Sequence, residues 1–244
     1  MFPKSSRVEP TVLLPKREIM QFSQNLSFSE QVSWLALLQA ERAIAVIRVP
    51  EMELGLQLAR AVATGGLRLI EITWNSDRPA HLISKLRQEL PACAIGAGTL
   101  LEPGQVREAI AAGAEFLFSP YTNPELIQLA ADHQVPMVAG ALTPTEIVTA
   151  WQAGSSGVKV FPIQAVGGAR YLSSLRDPLG GIPLIPTGGV TLENAAEFLA
   201  AGAIAVGLSS QLFPKEAIAT GTWSQVTDRT KALVQALKPY RQIA

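Results

Sequence analysis

The sequence predicts a single α/β domain folded as a (β/α)8 (TIM) barrel, preceded by an N-terminal extension and one helix. Its 244 residues suit this fold, which typically has about 250 residues. Eight short segments rich in β-branched residues alternate with amphipathic helical segments, a pattern typical of a parallel sheet. A weak internal repeat places small residues and glycine before every second strand, as expected if a two-unit βαβα block occurs four times.

The start of the chain differs from the rest. Residues 1–27 contain three prolines, scattered charges and no apolar run like that of a signal peptide, so they are predicted to form a flexible extension. The barrel domain is then expected to span residues 28–244. Its first element is a helix in SEQVSWLALLQAER, for which Ser27 or Ser29 is the expected N-cap.

The predicted strands are separated by helical stretches such as MELGLQLARAVA and NPELIQLAADH. The repeat segments ATGGLRLIEIT, AAGAEFLFSP, QAGSSGVKVFP and AAGAIAVGLSS lead into strands two, four, six and eight. An open doubly wound sheet can also have eight strands, but no GxGxxG turn follows the first strand, so the closed barrel is favoured. The strands are expected at residues 43–49, 67–73, 93–99, 116–120, 135–142, 157–162, 182–189 and 203–210.

Composition and charge argue against several partners and cofactors. Twenty basic residues balance twenty acidic ones, so no overall field attracts nucleic acid or an anionic membrane. No apolar run reaches the roughly 18 residues of a membrane-spanning helix. The two histidines lack metal-ligand spacing, which predicts no metal site. Cys93 is the only cysteine, so no internal disulfide can form. This predicts a reducing, cytoplasmic location for the protein.

Lys159 lies in the middle of GVKVFP, a segment that otherwise has the composition of a buried strand. Alternate residues of a barrel strand point into the lumen and out towards the helices. Val158 and Val160 suit the helix-covered face, so Lys159 and Phe161 are expected to face the lumen. Lysine is rarely buried without a partner or a chemical role.

Glu71 is expected to enter the same lumen from the second strand. In LRLIEIT the alternation turns Ile70 and Ile72 outward and Glu71 inward, near the carboxyl ends of the strands where active sites of this fold lie. A buried Lys–Glu ion pair is the structural alternative, although desolvating both charges costs free energy. In the chemical interpretation, a desolvated neutral amine attacks a carbonyl to form a Schiff base, and the carboxylate transfers protons. This chemistry needs no metal or other cofactor.

A second group of residues, after strands seven and eight, has the composition of an anion cradle. Gly188 and Gly189 precede the helical segment TLENAAEFLAA, and Ser209 and Ser210 precede QLFP, which is expected to form a short helix. Backbone N–H groups, hydroxyls and helix N-termini bind phosphate, and the loops after these two strands often form the phosphate site of the barrel. The alternative is that the glycines only make tight turns.

Five motifs in order and spacing resemble the family of 2-keto-3-deoxy-6-phosphogluconate (KDPG) aldolase and 4-hydroxy-2-oxoglutarate (KHG) aldolase. They are RLIEIT, GAGTLL, FLFSP, GVKVFP and PTGGV, within a similarity that runs approximately from Ala43 to Pro214. The resemblance implies a class I, lysine-dependent aldolase acting on a small 2-keto acid. It also implies a homotrimer, which an apolar content of 48% permits.

The resemblance implies roles for residues in these motifs. Lys159 matches the Schiff-base lysine and Glu71 the proton-transferring glutamate, while Arg48 matches a basic residue near the substrate carboxylate. The remaining matches are Thr99 and Thr187, expected to hydrogen-bond pyruvate, Phe161, expected to shield the imine, and Pro120, expected to shape the pocket wall. Thr99 and Thr187 also have an ordinary interpretation as residues of high β-propensity, and Phe161 as a packing residue. Arg48 has one as an exposed strand-end arginine.

Two positions depart from the family pattern. Several members have an arginine where this chain has Asn75, and many have a glutamate where FPIQ gives Gln164; Arg78 lies three residues after Asn75. Both changes concern the selection of the acceptor aldehyde, so KDPG and 4-hydroxy-2-oxoglutarate both stay candidate substrates. The other hypotheses are a different phosphate-binding barrel enzyme, such as an isomerase or synthase, a non-catalytic barrel that binds a phosphorylated metabolite, and a metal-dependent aldolase.

Overall fold

The computed structural model of this chain describes residues 34–241. The flexible extension expected over residues 1–27 and the helix cap expected at Ser27 or Ser29 lie outside the described residues. The helix expected before the first strand is present as α1, described over Trp34–Glu41.

Eight parallel strands form one sheet in the order β7-β6-β5-β4-β3-β2-β1-β8. A bridge between Thr187 and Gly207, and a hydrogen bond from Ile204 N–H to Leu184 O (3.0 Å), join β7 to β8. The sheet therefore closes on itself, and the predicted (β/α)8 barrel is confirmed. The strands are shorter than predicted and comprise β1 (Ala43–Ile47), β2 (Leu69–Thr73), β3 (Ala94–Gly98), β4 (Leu117–Phe118), β5 (Met137–Ala141), β6 (Val158–Val160), β7 (Leu184–Pro186) and β8 (Val206–Leu208).

Helical segments connect successive strands and surround the sheet. Short 3₁₀ helices lie at Ile163–Val166, directly after β6, and at Lys238–Tyr240. Across residues 34–241 no helix is both long and apolar enough to cross a membrane. The α-helices after α1 are α2 (Met52–Thr64), α3 (Pro79–Glu89), α4 (Pro103–Ala111), α5 (Pro124–Asp132), α6 (Pro144–Gln152), α7 (Gly168–Leu179), α8 (Ala195–Ala200), α9 (Lys215–Thr220) and α10 (Trp223–Leu237).

The glycine repeated before every second strand has a conformational cause. Gly66, Gly113, Gly154 and Gly202 have φ angles of +89°, +89°, +95° and +102°. Residues with a side chain rarely adopt this left-handed conformation, whereas glycine adopts it readily and ends a helix there. The chain therefore turns from helix to strand at equivalent places before β2, β4, β6 and β8, in agreement with the internal repeat.

Apolar side chains form separate cores outside and inside the sheet. Ile70, Ile72, Val158 and Val160 belong to the outer core between strands and helices, as the alternation in β2 and β6 predicts. Because α1 packs on residues near the beginnings of the strands, this helix covers the amino-terminal end of the lumen. The inner core consists of Leu37 and Leu38 of α1 with Ile44, Leu69, Ala94, Phe116, Phe118, Val138, Ile185 and Ala205.

The inward face of β3 is nearly free of side chains, which makes room for an aromatic ring. A Cβ on Gly96 would overlap the ring of Phe116 and would lie 2.6 Å from its Cγ atom. Phe116 is fully buried and stacks on Trp34 of α1, with ring centroids 5.1 Å apart. Filling the lower lumen with this ring therefore requires glycine at position 96.

We expect Gly96→Ala to lower the free energy of unfolding by about 1–3 kcal/mol, because the added methyl group overpacks the lumen. Gly104→Ala in α4 is the matched control, since no atom lies within 4 Å of its would-be Cβ. Helix propensity should leave that variant as stable as the parent or more stable. Urea unfolding followed by circular dichroism measures both, and equal stability of the two variants would contradict this account of the lumen.

Candidate active site

One cavity of about 460 Å³ opens at the carboxyl ends of the strands. Residues within or directly after every strand except β5 line it. The cavity thus draws on distant parts of the chain and brings the predicted site residues together. All eleven line it: Arg48, Glu71, Thr99, Pro120, Lys159, Phe161, Thr187, Gly188, Gly189, Ser209 and Ser210.

Lys159 occupies the middle of β6 and is only 5% exposed. Its Nζ atom lies 5.7 Å from the centroid of the Phe118 ring and 5.1 Å from that of Phe161. Within residues 34–241 no carboxylate lies within 4.0 Å of this atom. The buried ion pair considered from the sequence is therefore not formed as a direct contact, and aromatic faces border the amine instead.

Glu71 lies in β2, is 1% exposed and faces the same cavity. Burial raises the pKa of this carboxyl above its usual value, and the opposing effects of the positive charges on Lys159 and Arg48 are smaller. Its Oε1 atom is buried and finds no hydrogen-bonding partner among the described residues. A carboxyl group in these surroundings holds a proton more readily than an exposed one, which suits it to proton transfer.

Gly98 provides the space that this carboxyl group occupies. A Cβ at position 98 would overlap Oε1 and Cδ of Glu71 and would lie 2.7 Å from its Cγ. No feature of the sequence pointed to a role for Gly98, although it lies within the GAGTLL motif. A glycine at an inward strand position beside an inward glutamate is the signal that could have indicated it.

Arg48 and Thr99 lie at the mouth of the cavity after β1 and β3. Arg48 is exposed, and the next residue, Val49, donates its N–H to the buried Ser76 hydroxyl at 3.2 Å. Ser76 also lies 3.2 Å from the Thr73 hydroxyl, so one buried serine ties the end of β1 to the end of β2. Thr99 has a φ angle of +60°, which is rare for a β-branched residue. No feature of the sequence pointed to Ser76.

Thr187 extends from β7 into the seam that closes the barrel. It bridges to Gly207 of β8, where an added Cβ would lie 2.5 Å from Thr187 Oγ1. The threonine is 9% exposed and its hydroxyl has no protein partner within residues 34–241. Gly207 is a second lumen glycine that the sequence reasoning did not single out.

The loops after β7 and β8 supply unpaired donors to the rim of the cavity. Gly188 and Gly189 have φ angles of +83° and +96°. The backbone N–H groups of Gly189, Ser209 and Ser210 donate to no acceptor within the described part of the chain, and neither serine hydroxyl is bonded there. Three N–H groups and two hydroxyls are thus available to an anion.

The short helix expected in QLFP is absent, and the helix expected in TLENAAEFLAA is present but begins after the first residues of that segment. QLFP forms turns, in which Leu212 N–H bonds Ser209 O at 2.9 Å and Phe213 N–H bonds Ser210 O at 3.2 Å. In an α-helix the N–H of residue 214 would bond Ser210 O, but residue 214 is a proline and has no N–H. After β7 the helix begins only at Ala195, because turns occupy the preceding residues. The unpaired donors of these two loops are therefore turn amides and hydroxyls rather than helix N-termini.

The segment after Lys159 is bonded to the loop after β7. Ile163 and Gln164 donate their N–H groups to Thr187 O (3.0 Å) and Gly188 O (3.1 Å). The ring of Phe161, 37% exposed, would lie 3.0 Å from a Cβ on Gly188. Gln164 is not part of the cavity wall; it packs on Gly189 from the other side.

Asn75, the other departure from the family pattern, lines the cavity, whereas Arg78 three residues later does not. The Arg78 side chain instead donates to Asp77 Oδ2 at 3.2 Å. Among residues 34–241 no three His, Cys, Asp or Glu side chains are grouped closely enough to hold a metal ion. The polar groups of the cavity are thus one amine, one guanidinium, one carboxyl group and a set of neutral donors.

Comparisons with known proteins agree with this architecture. The family model for KDPG and KHG aldolase matches residues 35–229. A 2-dehydro-3-deoxy-phosphogluconate aldolase of Treponema pallidum (strain Nichols) is 37% identical over 198 residues, or 81% of this chain and 94% of that protein.

Two solved structures have similar folds. A KDPG aldolase from Legionella pneumophila, with pyruvate captured as a covalent carbinolamine, is 32% identical, has a TM-score of 0.76 and shares 82% of this chain and 97% of that chain. A cube-shaped cage designed by fusing symmetric oligomeric domains is 29% identical, has a TM-score of 0.74 and shares 82% of this chain and 73% of that chain.

The family match extends from α1 into α10 and includes every strand that contributes to the cavity. The lumen residues Lys159 and Glu71 both lie within it. This chain is therefore an aldolase and belongs to the KDPG and KHG aldolase family.

Proposed function

We propose that this aldolase cleaves KDPG to pyruvate and glyceraldehyde 3-phosphate through a Schiff base on Lys159. The observation that carries the proposal is the placement of a buried amine and a buried carboxyl group in one cavity, whose rim holds unpaired backbone N–H groups and serine hydroxyls. The amine supplies the nucleophile, the carboxyl group moves protons, and the cradle binds the phosphate. These three groups come from different parts of the barrel: β6, β2, and the loops after β7 and β8.

The first stage attaches the substrate to Lys159. The unprotonated amine adds to the C2 carbonyl carbon, and the carbonyl oxygen takes up the proton that the attached nitrogen releases, which gives a carbinolamine. A further proton from Glu71 lets the hydroxyl group leave as water, which forms the protonated imine. Burial raises the pKa of Glu71 above its usual value, so this group holds the proton it donates more readily than an exposed carboxyl group does.

The second stage breaks the carbon–carbon bond. Glu71, now a carboxylate, removes the proton from the C4 hydroxyl group, and the C3–C4 electron pair flows into the imine. This releases the aldehyde and leaves an enamine of pyruvate. Glu71 returns the proton to C3, and addition of water to the resulting imine frees pyruvate and regenerates the Lys159 amine.

The remaining residues of the cavity bind and enclose the keto acid. Arg48 supplies the positive charge that pairs with the C1 carboxylate. The Thr99 and Thr187 hydroxyls lie on the cavity wall as donors to the same end of the substrate. Phe161, whose ring borders the amine, shields the imine from water. These assignments leave the β7–β8 rim for the other end of the substrate.

The cradle favours a phosphorylated acceptor. Turn amides and the hydroxyls of Ser209 and Ser210 suit a phosphate group, which accepts several hydrogen bonds at once. 4-Hydroxy-2-oxoglutarate, which would give glyoxylate, is the second candidate because its reaction needs only the Lys159–Glu71 chemistry. Asn75 brings no charge to its second carboxylate, so we expect it to be the poorer substrate.

We also propose that the enzyme is a cytoplasmic homotrimer. The apolar composition of 48% leaves material for an interface, and the cage with a similar fold was designed from symmetric oligomeric domains. A reducing compartment suits Cys93, which is buried and whose pKa burial raises to about 11. A thiol in this state is a poor nucleophile and a poor disulfide partner.

Sodium borohydride should trap pyruvate on this enzyme. We expect one reduced adduct per chain, found by peptide mass mapping on the Lys159 peptide, because borohydride reduces an imine to a stable amine. Lys159→Met should give no adduct and no cleavage while keeping its circular dichroism spectrum. An adduct on another lysine, or full cleavage activity in Lys159→Met, would refute the Schiff-base proposal.

Ser210→Asp should impair only the phosphorylated substrate, because the new carboxylate repels phosphate in the cradle. We expect kcat/KM for KDPG to fall by about 10- to 100-fold, equivalent to about 1.4–2.8 kcal/mol. The same sugar acid without its phosphate should be cleaved as by the parent enzyme. Ser174→Asp, on the exposed side of α7 and outside the cavity, is the charge-matched control. Equal losses with both substrates would contradict the cradle.

The buried Glu71 should make stability depend on pH in a defined direction. A carboxyl group whose pKa is raised by folding keeps its proton in the folded state after the unfolded chain has released it, so stability falls as pH rises above about 4.3. Glu71→Gln removes this dependence. The stability of Glu71→Gln relative to the parent, measured by urea unfolding, should therefore increase from pH 4 to pH 7. A constant difference would mean that Glu71 titrates alike in both states.

A further inference from the structure

We propose that Gly98 is a positioning residue for proton transfer, because the absence of a side chain there creates the space in which the Glu71 carboxyl group lies. The proposal rests on the function proposed above for Glu71. The proposal gives β3, the strand beside Glu71 that contains Gly98, a specific part in the reaction.

The register of the two strands determines which glycine does this. Glu71 of β2 is level with Gly96 of β3, and Thr73 is level with Gly98. The Glu71 side chain therefore reaches two residues along the strand, towards the carboxyl end of the barrel, and ends against Gly98. The space at Gly96 is already filled by Phe116. Of these two inward glycines, only Gly98 accommodates the carboxyl group.

The backbone around Gly98 is held from both sides, so a side chain at this position would have to be accommodated by Glu71. Trp74 N–H bonds Gly98 O at 2.7 Å on the β2 side. On the β4 side, Ala97 N–H bonds Phe116 O at 3.0 Å and Leu100 N–H bonds Phe118 O at 3.2 Å. The end of the glutamate side chain is the flexible partner in this contact.

No hydrogen bond within the described residues holds the Oε1 atom of Glu71, so packing against β3 is what locates that atom. Burial is also the largest cause of the raised pKa of this group. A methyl group at position 98 would push the carboxyl group towards the open cavity, where water solvates its charged form. Both the position of the carboxyl group and its readiness to hold a proton then depend on the missing side chain.

The test is the pH profile of KDPG cleavage by Gly98→Ala. We expect kcat to fall by at least about 10-fold with little change in KM, equivalent to about 1.4 kcal/mol, and the pH range of activity to move towards lower pH. Gly96→Ala is the matched control, because it overpacks the same face of the same strand against Phe116. It should lose stability without moving the pH profile. A parent-like kcat and pH profile in Gly98→Ala would overturn the proposal.

A compensating change separates positioning from general damage to the barrel. Glu71→Asp shortens the side chain by one methylene group and withdraws the carboxyl group from position 98. We expect Glu71→Asp to cost less activity in the Gly98→Ala background than in the parent, and to raise the urea midpoint of Gly98→Ala. The urea measurement can still be made if Gly98→Ala is too unstable for an activity assay. Strictly additive effects in both measurements would overturn the proposal.

Borohydride trapping distinguishes failure of this inference from failure of the proposed function. If the parent enzyme forms no pyruvate adduct at Lys159, the Schiff-base function fails. If the parent forms the adduct and cleaves KDPG while Gly98→Ala matches it at every pH, only the role of Gly98 fails.

Discussion

The alternation of side chains in a closed parallel sheet is the constraint on which this site depends. Val158 and Val160 are needed in the outer core, so the residue between them must enter the lumen. The same requirement at Ile70 and Ile72 directs Glu71 inward. Burying two ionisable groups is costly, and here they are not joined in a direct ion pair. The protein therefore retains them at a cost to stability, which is understandable if their chemistry is the purpose of the cavity.

Missing side chains make that arrangement possible. A lumen filled by large residues from all eight strands would leave no room for a lysine, a glutamate and two phenylalanine rings. Gly96 yields its space to an aromatic ring, Gly98 to the Glu71 carboxyl group and Gly207 to Thr187. At Gly140 a Cβ would overlap the Pro120 backbone, so the loop after β4 packs closely over β5. Each inward glycine is thus explained by the neighbour that occupies its place.

The seam of the barrel forms part of the cavity wall. β7 and β8 meet through the Thr187–Gly207 bridge, and both residues line the cavity. The loops that continue from these strands carry the proposed anion cradle on either side of the seam. The Ile163 and Gln164 N–H groups tie the β7 loop to the 3₁₀ helix that follows β6, the strand that bears Lys159. The segment after the proposed nucleophile and the β7 part of the proposed phosphate site are therefore joined by hydrogen bonds.

The sequence by itself determined the number and order of the strands, the glycine helix ends, the inward direction of Lys159 and Glu71, and the residues of the loops after β7 and β8. These follow from side-chain periodicity and local backbone preference, which are properties of short segments. Only the tertiary structure decided that Lys159 and Glu71 are not in direct contact, that QLFP makes turns, that β4 has two residues, and that Gly98 accommodates the Glu71 carboxyl group. These depend on the stagger between strands and on which neighbour fills each space in the lumen. Neither is set by any single segment, because both arise when the sheet closes.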